Sequence, residues 1–477
     1  MTTSGTIDIA GLDGEYRTLT SEQLEALNAR LQGRLLVAGD QGWNDAVSIW
    51  NGMAARLPAL VLQPASAHDV AVAVSFAREH RLLVSIKGGG HNIAGTSIAD
   101  GGLVFDMSGM REVIVDPEAK VARVDPGCLL GEVDHATQAH GLATVLGFVS
   151  ETGVAGLTLG GGFGYLARRF GFTADNLAEV EVVGADGRLR IANRDVHPEL
   201  FWALRGGGGN FGVVTRFSFH LHPVGPIITG GLIIWSADRA EEVLAAYRDL
   251  TGSAPRELTA AAIVRLAPPA PFVPQVWHGK PIAGIQVCHS GSNADADLAP
   301  VRALGNPIVD LIAPRPYTAM QSMLDAMEPK WLHRYWKAEF LPGLSNEFLN
   351  AFRSSALRMT SPLSQSVIFH VAGALNEHED DDGAVGNRDA HYIAGFNATW
   401  PPGAPADPHV AWARDGWERI RPFSTGGNYI NFQLAEDDSH RTVTAYRTNY
   451  ERLQRVKSDY DPDNLFRVNR NILPVGQ

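Results

Sequence analysis

Cysteine, membrane-length apolar runs and blocks of positive charge are scarce or absent in this 477-residue sequence. Its two cysteines, Cys128 and Cys288, lie far apart and outside any CxxC spacing, which excludes a disulfide framework and a cysteine-based zinc site. The formal net charge is -12 without a lysine- or arginine-rich block, which excludes an ordinary nucleic-acid binder. The first residues, MTTSGTIDIA, carry no signal-peptide pattern, so we expect a soluble cytoplasmic protein without a membrane span.

Several common catalytic and cofactor motifs are also missing. The segment GHNIAGT begins like a P-loop, but Thr96 stands where the phosphate-binding lysine is required. The segment GFGYLA fits G-x-G-x-x-A, but neither a clear preceding strand nor a βαβ unit supports a dinucleotide-binding turn. GxSxG and HExxH are absent. The acidic loop NEHEDDDGAVGNRD lacks EF-hand spacing, so we predict no metal and a solvated hairpin tip there.

Glycine is the residue present in excess, with 50 residues that cluster as GGGH, GLTLGGGFG and LRGGGGNFG in the first half of the chain. Such clusters mark backbone that approaches a ligand closely, and plain turns are the alternative. The surrounding pattern is α+β, with hairpins around DPEA and ADGR and, beyond about residue 222, helices interleaved with strand-like runs. The C-terminal tail contains Leu465, Phe466 and Ile472, and we expect it to pack back onto the protein.

Five blocks occur in order: KGGGHNIAG, DPGCLLGEV, GVAGLTLGGGFGYLARRFGFTADNL, PELFWALRGGGGNFGVVT and YDPDNLFRVNRNI. Together they resemble the vanillyl-alcohol-oxidase-type flavoproteins with a PCMH-type FAD-binding domain, in the berberine-bridge-enzyme-like branch. The resemblance implies an α+β protein with a two-part FAD domain and an inserted α+β substrate domain, whose antiparallel sheet lies over the flavin. We therefore predict a first FAD-binding part at 1–222, a substrate domain at 223–427, and a berberine-bridge-like segment at 428–477 that returns to the FAD domain.

The resemblance implies FAD that is bonded covalently through His91, because the family's histidine in this loop is bonded to the flavin 8α-methyl group. Taken alone, a histidine after glycines is more often a turn residue than a functional one. Many relatives add a second bond from a cysteine, but Val149 stands at that position, so we predict mono-covalent FAD and interpret Cys128 as a packed small hydrophobe. The other FAD contacts that the resemblance implies are Lys87, Gly88, Gly89, Gly90, Asn92, Ile93 and Gly95 around the pyrophosphate and ring, Thr152, Gly153, Gly156, Gly161 and Gly162 on the other side, Asn210 and Val214 in the GGGGNFGVVT block, and Asn469 from the tail.

On the substrate side, GGNYINFQ resembles the family's Tyr-x-Asn-aromatic strand. Alternation along a strand would point Tyr429 and Asn431 the same way. Tyr429, with a pKa lowered by a nearby cation, is the first candidate for the catalytic base. His370 is the second candidate, or else a hydrogen-bonded core residue. Lys337 either steers an anionic group and tunes the flavin, or is a structurally paired lysine.

These features predict an FAD-dependent oxidase that transfers hydride from a CH–OH or CH–N centre of a small or aromatic metabolite to flavin N5, with O2 as acceptor. A natural-product tailoring oxidase and an FAD-dependent dehydrogenase that does not use O2 remain alternatives. A flavin carrier without catalysis is disfavoured by the presence of Tyr429 and Asn431. The expected partners are a small-molecule substrate and O2, without nucleic acid or membrane, in a monomer or homodimer.

Overall fold

The computed structural model describes residues 5–437 and 439–477, which form a mixed α+β protein. Its strands are β1 Ile7–Ala10, β2 Tyr16–Leu19, β3 Arg34–Leu36, β4 Leu60–Gln63, β5 Val84–Lys87, β6 Leu103–Asp106, β7 Val113–Asp116, β8 Val121–Val124, β9 Leu142–Ala143, β10 Leu177–Val183, β11 Leu189–Asn193, β12 Val213–His220, β13 His222–Pro223, β14 Ile227–Ser236, β15 Leu258–Leu266, β16 Pro281–His289, β17 Val309–Asp310, β18 Ala313–Pro316, β19 His333–Leu341, β20 Gln365–His370 and β21 Tyr392–Trp400. Its helices are α1 Ser21–Asn28, α2 Trp43–Ala46, α3 Ala67–Glu79, α4 Leu130–Gln138, α5 Val154–Leu159, α6 Ala167–Phe170, α7 Pro198–Leu204, α8 Ala240–Ser253, α9 Ala294–Arg302, α10 Tyr317–Gln321, α11 Asn346–Ala356, α12 Asp407–Ile420, α13 Ser439–Tyr446 and α14 Tyr450–Tyr460. None of the helices in these residues is long and apolar enough to cross a membrane.

A small sheet of order β3-β4-β6-β5 positions the first glycine loop. Strands β4, β6 and β5 are parallel, and β3 pairs antiparallel with β4. The crossover from β4 to β5 is α3, whose N-cap Ser66 accepts a hydrogen bond from the Asp69 amide. The face of α3 that carries Val70, Ala73 and Ala77 is buried, as its helical spacing predicted.

A five-stranded antiparallel sheet, of order β11-β10-β12-β8-β7, carries the other two glycine-rich segments. Both predicted hairpins are confirmed, since β7 pairs with β8 and β10 pairs with β11. The turn of the second hairpin contains Gly187 at a φ of 76°, a conformation that favours glycine. The end of α5 and the segment that follows α7 approach each other beside this sheet, where the Gly208 amide donates to the Leu159 carbonyl.

The third sheet has the order β17-β14-β16-β15-β20-β21-β19, with β18 beside β14, and its strand pairs are antiparallel. Helices α8, α11 and α12 cover one face, and their core residues include Leu244, Phe352 and Trp412. The opposite face lies towards the glycine loops. Every residue of β21 is buried, because the sheet is covered on both sides.

The acidic loop is only partly the solvated tip that the sequence predicted. Residues 383–388 are buried. Arg388 forms a two-fold ion pair with Asp175 at 2.7 Å, and the Val385 side chain packs close to Gly206. The expectation of a fully solvated loop is therefore wrong, because residues 383–386 are small or apolar and Arg388 is held by Asp175. This half of the loop covers the region between the glycine segments and the third sheet.

The apolar tail packs back onto the protein, as the sequence predicted. Leu465 and Phe466 join the core of the first sheet, and Ile472 joins the core of the five-stranded sheet. The end of α14 anchors this return, because the buried Lys457 ammonium lies 2.6 Å from the Asp461 carboxylate. The tail thereby reaches the same body as the glycine-rich segments.

Candidate active site

The His91 loop leaves the carboxyl end of β5 and contacts the second glycine-rich segment directly. Gly90 and Gly95 have φ values of 69° and 70°, which a side chain would strain. A Cβ on Gly89 would lie 2.4 Å from the backbone nitrogen of Gly153, so a side chain there would push the two loops apart. Gly88 begins this loop and is half-buried. The structure thus brings together two segments that the resemblance assigns to one ligand.

The His91 imidazole lies against an aromatic ring and has no hydrogen-bond partner at Nε2. It stacks on the Trp50 indole with centroids 4.1 Å and planes 19° apart, and the Arg334 guanidinium lies 3.9 Å from the same indole. Nε2 is buried and unpaired among the described residues. Burial, followed by the positive charge of Arg334, lowers the pKa of His91 to about 3. The imidazole is therefore neutral at ordinary pH and keeps one unprotonated nitrogen, as a nucleophile requires.

Three of the side chains expected to contact FAD are used within the protein. The Lys87 ammonium lies 3.1 Å from the buried Asp106 carboxylate. Asn92 Oδ1 accepts hydrogen bonds from the amide and the hydroxyl of Thr96, both at 3.2 Å. Ile93 is buried in the core. Because these side chains shape the loop, its contacts with a ligand would come from backbone amides, which suit a pyrophosphate.

The second segment presents open backbone beside this loop. A Cβ on Gly156, in α5, would meet nothing within 4 Å. Gly161 and Gly162 have φ values of 104° and 77°, which favour glycine. The Thr152 carbonyl accepts from the Leu130 amide at 2.9 Å, which holds the segment against the start of α4. The segment therefore leaves open space for a ligand at Gly156, whereas Gly161 and Gly162 are enclosed by Val385 and Thr173.

Two asparagines join the third glycine segment to the C-terminal tail. Asn210 Nδ2 donates to the Arg470 carbonyl at 3.1 Å, and Asn210 Oδ1 accepts from the Ile472 amide at 3.0 Å. Asn469 Nδ2 donates to the Gly209 carbonyl at 3.0 Å. Both asparagines thus hold the tail against the GGGGN turn, which gives them a structural task beside the expected contact with FAD.

Unpaired polar atoms mark the region between these segments. His91 Nε2, Asn469 Oδ1 and the Tyr446 hydroxyl are buried without a partner in the described chain. The Tyr446 hydroxyl lies 3.7 Å from the Cβ position of Gly208, and no sequence motif indicated this residue. Val214 is buried in the core, so only its backbone is placed for a ligand. Buried polar groups are rarely left unpaired in native proteins, and the three atoms, together with the open glycine backbone, fit a bound FAD.

The third sheet places aromatic rings opposite these loops. Trp336 of β19 meets Trp50 edge-to-face at 5.1 Å. Phe369 of β20 stacks on Phe148 at 4.9 Å and meets Phe163 edge-to-face at 5.5 Å. Trp336, Phe369 and Phe148 are half-buried, and we call the surface that these three rings form the aromatic recess. No sequence motif indicated Phe369 or Phe148, since an aromatic residue in an apolar run gives no sign of the surface it faces. A recess of this composition suits a flat, largely apolar substrate.

Tyr429 and Asn431 meet in a 3₁₀ turn, Ile430–Phe432, and the expectation that they lie on a strand is wrong. Asn431 Nδ2 donates to the Tyr429 hydroxyl oxygen at 2.9 Å, and the Gly162 amide donates to the same oxygen at 3.0 Å. Burial raises the pKa of Tyr429 to about 12, and the two donors offset only part of that effect. The expectation of a pKa lowered by a cation is therefore wrong, and Tyr429 keeps its proton at ordinary pH.

Lys337 lies on the face of the sheet that the helices cover. Its ammonium is 2.6 Å from Asp437 and 3.1 Å from Glu436, and it lies 5.3 Å from the Trp417 ring of α12. Alternation along β19 sends Trp336 to the aromatic recess and Lys337 to the other side. The alternative of a structurally paired lysine fits this geometry, and a free charge beside the substrate does not.

His370 lies on the same helix-covered face. Its ring stacks on Tyr392 at 5.1 Å, and the Tyr392 hydroxyl is 2.9 Å from the Thr251 hydroxyl of α8. Burial, followed by the charge of Arg168, lowers the pKa of His370 to about 2. Its ring is thus a neutral core group behind the sheet, and the expectation that His370 serves as a second base does not fit its position.

Comparisons with known proteins agree with this arrangement. A family model described as "FAD binding domain" matches residues 58–193, and one described as "Berberine and berberine like" matches residues 428–473. An FAD-linked oxidoreductase of Dictyostelium discoideum is 30% identical over 430 residues, which cover 89% of this chain and 91% of that protein. The (R)-6-hydroxynicotine oxidase of Paenarthrobacter nicotinovorans is 30% identical over 465 residues, which cover 94% and 98%.

The fold agrees as well. The crystal structure of 6-hydroxy-D-nicotine oxidase from Arthrobacter nicotinovorans superposes with a TM-score of 0.81 at 27% identity, covering 93% of this chain and 98% of that one. The resemblance drawn from the five sequence blocks is thereby confirmed. The chain belongs to the FAD-linked oxidoreductases of the berberine-bridge-enzyme-like branch, with a PCMH-type FAD-binding domain.

Proposed function

We propose that this chain is an oxidase that carries FAD on one covalent bond to His91 and oxidises a CH–OH or CH–N centre of a small or aromatic metabolite, with O2 as acceptor. The observation that carries the proposal is the neutral His91 imidazole, which ends a run of glycines, stacks on Trp50 and has no partner for Nε2 among the described residues. Val149 has a side chain that cannot form a thioether, which supports a single link. A 30% identical relative is named as an oxidase of 6-hydroxynicotine.

Different residues bind the cofactor and orient the substrate. Bound FAD would supply the hydride acceptor, with O2 as the final two-electron acceptor and hydrogen peroxide as the product. Gly89 lets the His91 loop meet the second glycine segment, and the open space at Gly156 leaves room for the cofactor's close approach. His91 is the proposed tether. The aromatic recess excludes water and orients a planar substrate.

Among the substrate classes in this proposal, the geometry favours a CH–N centre. Tyr429 keeps its proton at ordinary pH, while His370 and Lys337 face away from the aromatic recess. An alcohol must lose its O–H proton as the hydride leaves, which calls for a general base. An uncharged amine needs none. The Tyr429 hydroxyl would then serve as a hydrogen-bond donor, while its oxygen accepts from the Gly162 and Asn431 nitrogens.

We also propose that residues 1–222 and 428–477 together form the FAD-binding domain and that 223–427 form the substrate domain. Leu465 and Phe466 share a core with the first sheet, and Asn210 bonds the tail, which supports this division. Residues 227–400 supply the eight strands of the third sheet, which supports the boundary of the inserted part.

Denaturation of the purified protein tests the tether. We expect yellow protein whose flavin stays with the chain after acid precipitation, at a mass one FAD above that of the polypeptide. His91→Ala should release all flavin to the supernatant, whereas His140→Ala, an exposed histidine, should retain it. Free flavin from the unaltered protein would refute the covalent bond.

Oxygen dependence tests the oxidase assignment. A peroxide-coupled screen of amines, alcohols and sugars should find turnover first among amines that carry both an aromatic ring and a CH–N centre. Each hit should give stoichiometric hydrogen peroxide, and anaerobic mixing should bleach the flavin absorbance. Bleaching that persists after O2 is admitted would show a dehydrogenase instead.

A further inference from the structure

Three polar side chains form a line across the third sheet. Arg265 of β15 pairs with Gln365 of β20, Gln365 pairs with Asn397 of β21, and Asn397 pairs with Trp336 of β19. Directly paired residues project from the same face of a sheet with Cβ atoms about 5 Å apart. We call Arg265, Gln365 and Asn397 the polar row, and Trp336 ends it.

The polar row faces the aromatic recess. Its end residue Trp336 contacts Trp50, which carries the His91 ring, and it meets Phe432 edge-to-face at 5.6 Å. Two residues further along each strand from the polar row, a parallel line of paired residues on the same face consists of small and aliphatic side chains. These are Ile263, Val367, Gly395 and Ala338. Beyond them lies the line that contains Phe369. The recess therefore has one polar edge and a largely apolar remainder.

The two amide side chains of the polar row make no hydrogen bond within the described chain. Neither the Gln365 nor the Asn397 amide bonds to another residue there, although Asn397 is only 6% exposed. The indole N–H of Trp336 is buried and also unpaired among the described residues. Each amide offers both donors and an acceptor, so the edge matches a ligand group that can donate and accept.

Arg265 adds a positive charge that is only partly compensated. Its Nε donates to the Leu266 carbonyl at 3.2 Å, and Nη1 contacts the Met327 sulfur at 3.0 Å. The nearest acidic group acting on it is Glu328, which itself pairs with Arg334 at 3.4 Å. A guanidinium whose other partners are a carbonyl and a thioether attracts an electron-rich oxygen, because charge-assisted hydrogen bonds are stronger than neutral ones.

We propose that the polar row binds the hydroxyl or ring carbonyl oxygen of an aromatic substrate and sets the orientation of its ring in the recess. This inference rests on the proposed oxidase function and specifies its substrate class: a planar ring with an oxygen substituent at one edge and the oxidisable carbon away from that edge. A ring without the oxygen leaves the polar row desolvated and unpaired, and is discriminated against for that reason.

Binding of two simple rings to the oxidised holoenzyme tests the proposal. Phenol carries the oxygen, and fluorobenzene has a similar size but hydrogen-bonds poorly. Titrations followed by the flavin absorption spectrum should give a dissociation constant about 10-fold or more lower for phenol. In a Gln365→Met, Asn397→Leu double variant, which keeps the side-chain volumes close, the two constants should become equal within about 2-fold.

A second variant and a control separate this role from a loss of folding. Gln365→Glu places a carboxylate beside Arg265, and we expect it to pair with the guanidinium and remove the preference for phenol. Ser366→Ala alters the next residue of the same strand, on the helix-covered face, and should keep the preference. Equal binding of both rings by the unaltered protein, no spectral change with either, or an undiminished preference in the double variant and in Gln365→Glu would overturn the proposal.

The covalent flavin content and peroxide production of each sample are measured in parallel. A protein that lacks covalent flavin or makes no peroxide contradicts the proposed function itself. A flavinylated, peroxide-producing protein whose discrimination does not depend on Gln365 and Asn397 contradicts only the role of the polar row.

Discussion

The environment of His91 combines two effects that serve attachment of a cofactor. Burial and the charge of Arg334 lower its pKa to about 3, so the ring stays neutral throughout the neutral range. The Trp50 indole, held by a hydrogen bond from its Nε1 to the Glu328 carbonyl at 3.1 Å, fixes the plane of the ring. An ammonium-like imidazolium cannot act as a nucleophile, and a freely rotating ring would seldom have the orientation required.

Removal of the stacking partner should therefore slow covalent attachment. In Trp50→Leu, we expect apoprotein mixed with FAD to gain covalent flavin roughly 2–10-fold more slowly, the factor that corresponds to the loss of one aromatic pair. The rate is measured from flavin fluorescence of the denatured band over time. Trp412→Leu removes another buried tryptophan, whose Nε1 donates to the Ser355 carbonyl, and controls for lost stability. Equal rates in the two variants would contradict the role assigned to the stack.

At the scale of elements, the sequence predicted the hairpins well, but it predicted poorly which side chains lie on which face of the third sheet. The β7–β8 and β10–β11 hairpins have turn signals and half-exposed strands, so their period of two is visible. Strand β21 is buried at every residue, and strands covered on both sides lose the alternation that reveals a face. A shift of one residue reverses every side chain, which is why the sequence left Lys337 and His370 between a role at the substrate and a structural role.

The site itself was predictable where glycine carried the signal. Steric contact between Gly89 and Gly153 and the positive φ values at Gly161 and Gly162 demand glycine, and the sequence shows it. Tyr446 was not predictable, because nothing in a helix sequence reveals that one hydroxyl is left unpaired next to a loop distant in sequence. The 3₁₀ turn at Ile430–Phe432 was likewise hidden, since GGNYINFQ reads equally well as an extended segment.

At the end of α14, one ion pair, Lys457 with Asp461, makes most of the polar contacts. Lys457 Nζ donates to the Asn210 carbonyl at 2.8 Å and the Phe466 carbonyl at 3.0 Å, while Asp461 accepts from the amides of Leu465 and Phe466. Both charged side chains are fully buried. The pair therefore connects the helix, the third glycine segment and the C-terminal tail.

We expect Asp461→Asn to lower the free energy of unfolding by about 3 kcal/mol at pH 7, because it leaves a buried ammonium without its counter-ion. Burial lowers the pKa of Lys457 to about 8 even beside Asp461. Without the carboxylate, folding favours the neutral amine still more. The destabilisation should hence be largest at pH 6 and shrink towards pH 9, as the lysine of the folded protein loses its proton. Urea unfolding measures this, with the exposed Asp459→Asn of the same helix as control. A loss that does not depend on pH would contradict the charge explanation.

Across the whole molecule, buried titratable groups change the stability of the folded state with pH in opposite directions. The pKa values of His91, His222 and His370 are lowered to about 3, 4 and 2, chiefly by burial. Each therefore makes the folded state less stable as pH falls below about 6.5, where the unfolded chain takes up the proton. Burial raises the pKa values of Asp134 and Glu328 to about 7, and these groups favour the folded state as pH falls from 7 towards 4.

Replacement of His370 isolates one of these contributions and also tests its place behind the sheet. In His370→Phe the ring still stacks on Tyr392, but the neutral imidazole near Arg168 and His391 is gone. Between about pH 6 and 4.5, the free energy of unfolding of the parent should fall relative to that of the variant by about 1.4 kcal/mol per pH unit, which corresponds to one proton. Urea unfolding of both proteins across this range gives the two slopes, and His140→Phe, at an exposed site, controls for the added ring. Covalent flavin content and turnover should be unchanged, because His370 faces α8 and not the aromatic recess. Equal slopes would contradict the assignment of a neutral, buried imidazole. A loss of turnover with covalent flavin retained would instead show that His370 acts at the substrate side of the sheet.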